Sequence, residues 1–139
     1  MPDPDVTHAL SFDIEDWFHM VEIDAVDDPD RWDAFPSIVE RETEWILETL
    51  RKRGITATFY VLGWIADRYP DLVRSIDRDG HEIGSHSFWH RRVDTLTREE
   101  FHADVRDSLD AIRAAGVDRC PGFRAPTFSI VPGAEWAFD

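Results

Sequence analysis

The chain has 139 residues, enough for one domain with a real core and too few for two. Apolar residues make up 42% of it, with six Trp and nine Phe, so its 32% of charged residues belong to a globular chain rather than a disordered one. Twenty-nine acidic residues against fifteen basic ones leave a net charge of −14, which repels nucleic acid and anionic membranes and excludes both as expected partners.

In chain order, Met1 to Asp5 has neither the basic nor the apolar region of a signal peptide, and the expected compartment is the cytoplasm. No apolar run approaches the ~18–20 residues that span a bilayer, so no membrane insertion is expected. Ala9 to Ile14 reads as a strand. The acidic and aromatic stretch from Trp17 to Pro36 follows, with Asp24 to Asp33 read as loop. Ser37 and Glu40 suggest a capping box for a helix whose apolar stripe includes Val39, Ile46 and Leu50, and Gly54 is its expected stop.

Thr56 to Leu62 is the clearest strand, rich in β-branched and aromatic residues. Helical periodicity covers Trp64 to Asp79, restarts near Pro70 and ends at Gly80. His81 to Ile83 reads as extended. Thr97 and Glu100 form a second capping-box candidate, before a helix with Phe101, Val105, Leu109 and Ile112 on one face and Gly116 after it. Pro121 to Pro126 is a fourth extended piece. The order β-α-β-α-β-α-β predicts an α/β fold with a parallel sheet. An eight-fold barrel needs roughly 250 residues, so this length covers about half of one.

Cys120 stands alone, which excludes an intrachain disulfide and a cysteine-based zinc site. Lys52 is the sole lysine, and 19 of the acids are Asp. Such an acidic, lysine-poor surface is expected of a protein that works in concentrated salt, where screening relieves its self-repulsion.

Three polar constellations fall where predicted strands end, the place where ligands gather in parallel α/β folds. In Ser11-Phe12-Asp13-Ile14-Glu15-Asp16-Trp17, three acids in four positions repel one another unless a metal ion or an arginine sits among them. Alone, they read more readily as solvated loop residues. In His86-Ser87-Phe88-Trp89-His90, histidines four apart share one face of a helical turn, where two imidazoles can reach one ion. Two nitrogens, a carboxylate and an open position suit zinc or a related first-row metal. In Phe123-Arg124-Ala125-Pro126-Thr127, the arginine can pair with an acid of the first group or lie on the surface.

In order and spacing, SFDIED around Asp13, GHEIGSHSFWH around His86 and His90, and FRAPTF around Arg124 resemble the first three motifs of the NodB-type polysaccharide deacetylases. Thr56 to Val61 and Asp79 to Gly84 are similar to that family as well, so the resemblance runs from about Ala9 to Ile130. It implies a parallel-stranded (β/α) barrel, about half of it present, with residues 1–139 as a single truncated domain. It makes Asp13 the general base, Arg124 the cation that orients it, and His86 and His90 ligands of a divalent metal, expected to be zinc.

The third ligand stays open between Glu15 and Asp16, because most of the family carries two adjacent aspartates. Glu15 matches a peptidoglycan deacetylase and allantoinase-like subgroup, and residues two apart on a strand share a face. The resemblance further implies that metal-activated water attacks an N-acetyl carbonyl of a glycan, with the Thr127 N–H holding the oxyanion. Trp17, Phe18 and Trp89 are read either as sugar-stacking rings or as packing. The family's later motifs, including its general acid, lie past Asp139. Two other readings follow: hydrolysis of another C–N bond such as a cyclic ureide, and a non-catalytic glycan-binding remnant. Which glycan, and the assembly state, are not written in these residues.

Overall fold

The computed structural model describes residues 7–21 and 23–139; the segment Met1 to Asp5 that was read for a leader lies outside them. Four strands, β1 (Ser11–Ile14), β2 (Thr58–Val61), β3 (Glu82–Ser85) and β4 (Gly122–Phe123), form one parallel sheet in the order β1-β2-β3-β4. Helix α1 (Val39–Arg53) links β1 to β2, α2 (Gly63–Arg68) and α3 (Pro70–Arg78) link β2 to β3, and α4 (Arg98–Ala114) links β3 to β4. Parallel neighbours need such crossovers, and the alternation expected from periodicity is present throughout.

The element ends have local causes. The helical stretch after β2 breaks at Tyr69 (φ −124°, ψ 56°) because Pro70 has no N–H to continue the ladder and instead opens α3 at its first turn. The expected capping box before α4 is formed: Thr97 Oγ1 accepts from the Glu100 N–H at 3.2 Å, and Glu100 Oε2 accepts from the Thr97 N–H at 2.8 Å.

The capping box expected at Ser37 and Glu40 is not. Ile38 occupies the N-cap of α1, and its side chain has no acceptor to offer. The acceptor comes instead from Asp16, far back in the chain, whose carboxylate takes the Ser37 hydroxyl at 2.5 Å and the Ile38 and Val39 N–H groups at 3.2 and 3.4 Å. The stretch read as loop contains a short 3-10 turn, Pro29–Ala34, which buries Trp32.

Register sorts the two faces of the sheet. Asp13, Tyr60, Gly84 and Gly122 are successive partners in one row, so their side chains share a face. On the other face Ile14, Phe59, Val61 and Ile83 are buried, together with Leu47, Val73, Ile76 and Ile112 from the helices. The helices press closest where α2 meets α4: a Cβ on Gly63 would lie 2.8 Å from the Ser108 Cα and 2.5 Å from the Phe88 ring.

Candidate metal and catalytic site

The open face of the sheet carries the site. Asp13 in β1 and Glu15, two positions on, point the same way from the strand end. His86 directly follows β3, and His90 closes the loop after it. The loop is not the helical turn expected for histidines four apart. Ser87 (φ 66°) and His90 (φ 55°) both take left-handed backbone, and this reversal, rather than helical periodicity, faces the imidazoles toward each other with centroids 5.1 Å apart.

Glu15, His86 and His90 offer ligand atoms that all lie within 4.8 Å of one another. Glu15 Oε2 is 2.7 Å from His90 Nε2, yet it is buried and has no hydrogen-bond partner among the described residues. The contact is an ion pair when the imidazole carries a proton there, and with a neutral imidazole it sets two lone-pair atoms side by side, the disposition of ligands around a cation. The residues present therefore fit a divalent metal.

His86 is prepared for that role. Its Nδ1–H donates to the Arg124 carbonyl at 2.8 Å, which leaves the Nε2 lone pair toward the carboxylates. Burial holds its pKa below the ordinary imidazole value, against the opposing pull of Asp13. A ligating imidazole must be neutral, so the shift has the right sign.

Asp16 does not belong to this set. Strand alternation turns it away from Glu15, and its carboxylate is committed to α1 and to the Trp17 N–H. Of the two carboxylates left open by sequence, Glu15 is the one that reaches the histidines.

Arg124 is brought to Asp13. Its Nη1 donates to Asp13 Oδ1 at 2.5 Å and its Nη2 to the Ser11 hydroxyl at 2.7 Å. The guanidinium lies over the Tyr60 ring, 4.1 Å from its centroid. Tyr60 has room to lie across the sheet on the side away from Asp13, where Gly84 and Gly122 lack side chains: a Cβ on Gly84 would meet the ring at 2.6 Å. Ser11 and Tyr60 were not singled out from sequence. The signal that finds them is register, since both share the face of Asp13.

Thr127 and Phe128 follow with consecutive left-handed backbone, φ 52° and 53°. Such a pair in non-glycine residues is strained and marks functional segments. Both line a cleft of about 550 Å³ together with Asp13, Glu15, Tyr60, His86, His90, Phe123 and Arg124.

The sequence over residues 27–132 matches the family model for polysaccharide deacetylase, well over half of the chain. The chain belongs to the polysaccharide deacetylase family. Among curated relatives it is 38% identical over 88 residues to chitin deacetylase 1 of Saccharomyces cerevisiae, a match covering 63% of this chain and 28% of that protein. It is 34% identical over 70 residues to the peptidoglycan-N-acetylmuramic acid deacetylase PdaA of Bacillus subtilis, covering 50% of this chain and 25% of the relative.

Among solved structures, the family 4 carbohydrate esterase from Streptomyces lividans superposes with a TM-score of 0.70 at 23% identity, over 93% of this chain and 55% of that one. At that identity the likeness establishes the fold, a NodB-type barrel of which this chain covers about half.

Within this deacetylase fold, the aromatic residues flanking the motifs are mostly interior. Phe18 is fully buried among Trp32, Phe35 and Trp64, so it cannot stack on a sugar. Trp17 is 42% exposed but is tied by its indole N–H to the Pro36 carbonyl at 3.0 Å. Trp89 packs on Phe88 and Trp32. The rings that do face the cleft are Tyr60 and Phe128; Phe123 borders it, but its register partner is Ser85 on the covered face and its ring packs on Phe101. His19 sits in the same aromatic cluster with its pKa pushed down to about 3, chiefly by burial, and its Nδ1 accepts the Asp16 N–H at 2.7 Å.

Proposed function

We propose that this chain carries the metal centre and the general base of a hydrolase that removes N-acetyl groups from a glycan. One observation carries the reading: Glu15, His86 and His90 converge on one point beside an Asp13 that is paired to Arg124. The named relatives act on chitin and on N-acetylmuramic acid in peptidoglycan, so an N-acetylated polysaccharide is the substrate class.

Zinc suits two imidazole nitrogens and one carboxylate, and a divalent ion there supplies Lewis acidity, lowering the pKa of a water and polarising a carbonyl. The protein's own groups do the rest. Asp13 accepts the proton of the attacking water and, as the C–N bond breaks, that proton passes to the departing amine nitrogen. Arg124 keeps Asp13 ionised and aimed, and is itself held by Ser11 and by the Tyr60 ring. The Thr127 N–H, on its strained turn at the cleft wall, donates to the oxygen that gains charge, a contact worth roughly 3 kcal/mol. Phe128, almost fully exposed at the cleft, offers an apolar face to the sugar.

Metal content and acetate release from N-acetylated oligosaccharides, measured on wild type and on His90→Ala, test the reading. Wild type should hold metal and release acetate, and His90→Ala should lose both. Undiminished acetate release from metal-free wild type would end the proposal, and cleavage of a cyclic ureide without acetate release would move it to another C–N bond.

A further inference from the structure

The loop between the two histidines is clamped from both sides. Its carbonyls go to the first turn of α2: the Gly63 N–H donates to Ser87 O at 2.8 Å and the Trp64 N–H to Phe88 O at 3.2 Å. Its amides go to one side chain of α4. Asp104 Oδ2 accepts the Phe88 N–H at 2.7 Å and Oδ1 accepts the Trp89 N–H at 3.3 Å, with Arg91 Nη2 at 3.4 Å. The Asp104 side chain is 1% exposed. Inside the loop, Ser87 Oγ accepts the His90 N–H at 2.9 Å.

A charged carboxylate is costly to bury, and a buried N–H without a partner costs about 1–3 kcal/mol. Here each deficit satisfies the other, and the result is a fixed irregular loop. Its backbone is left-handed at Ser87 and at His90, positions that non-glycine residues hold only when their surroundings determine them. Repacking of α4 cannot relieve the constraint easily, because Gly63, Phe88 and Ser108 already meet at van der Waals limits.

We infer that Asp104 is a positioning residue of the metal site: by holding the Phe88 and Trp89 amides it sets the separation of the His86 and His90 imidazoles, and so the affinity and geometry of the ion between them. The inference rests on the metal reading above. Asparagine at 104 keeps one acceptor but turns an NH₂ toward one of the two amides, so the loop loses half of its anchor.

The test is titration of the full-length chain with zinc and with cobalt(II), whose visible spectrum reports coordination geometry. Asp104→Asn should raise the metal Kd about 10–100-fold, the range for groups that orient ligands, and should alter the cobalt spectrum. Ser108→Ala, on the same face of α4 and bonded to Ser85 rather than to the loop, should leave both unchanged.

A lowered melting temperature in Asp104→Asn with wild-type Kd and spectrum would overturn the assignment, since a purely structural role predicts that pattern. Should Asp104→Asn fail to fold, hydrogen exchange on metal-free wild type decides. Slow Phe88 and Trp89 amides support the clamp, and exchange at open-loop rates overturns it. Wild type that takes up neither metal sinks the metal reading itself, a result distinct from either.

Discussion

The two faces of one sheet make the instructive contrast. On the covered face Phe59, Val61 and Ile83 meet the helices in a largely apolar interior, within which the Ser85 and Ser108 hydroxyls pair with each other. On the open face the same strands present Ser11, Asp13, Tyr60 and two glycines, which leave room for a ring, a guanidinium and a cluster of ligands. Period-two alternation thus divides stability from chemistry within single strands. A substitution should therefore damage one or the other according to the parity of its position.

The largest effect that parity predicts is at Asp13. Asp13→Asn should cut deacetylation by about 10²–10⁴-fold, the range for a positioned general base, while metal content and melting temperature stay near wild type. Unimpaired activity would remove Asp13 from the role. One residue earlier in phase, Phe59→Ala should cost about 3–5 kcal/mol of folding stability yet leave metal affinity intact at temperatures where the variant remains folded. Loss of affinity without loss of stability would break the division between faces.

Asp16→Ala sharpens the contrast at the strand end. It should cost about 0.5–2 kcal/mol, as expected for a lost helix cap, and leave the metal Kd unchanged; a weakened Kd at constant stability would return Asp16 to the ligand set. Smallest is Tyr60: Tyr60→Leu should lower kcat through a misaimed Arg124, by an amount within the ~0.5–2 kcal/mol of a cation–π contact, and Tyr60→Phe should restore it. Equal rates in the leucine and phenylalanine variants would show that the ring face is not what holds the guanidinium.

These outcomes also separate what was readable in the sequence from what was not. Element order was readable because strand and helix periodicities differ over short windows, and Thr97 with Glu100 announced its helix because both halves of that cap are local. Asp16 was not, because its partners at Ser37 and Ile38 stand more than twenty residues away and no local rule pairs them.

The same holds within the site. Asp13 and Glu15 could be placed on one face from spacing alone. The convergence of His86 and His90 could not, since serine and histidine do not declare a left-handed backbone as glycine does. Tyr60 and Asp104 act across strands and helices, so their roles exist only once register and packing are known.

The arginine contact has a temporal consequence. Arg124 follows the fourth strand and reaches back to the first, 111 residues earlier, passing over the ring supplied by the second. The proposed metal ligands come from the ends of the first and third strands. Contacts so distant in sequence form late in folding, and with them come both the counter-charge of Asp13 and the carbonyl that orients His86, so on the proposed reading the site is complete only when the fourth strand docks.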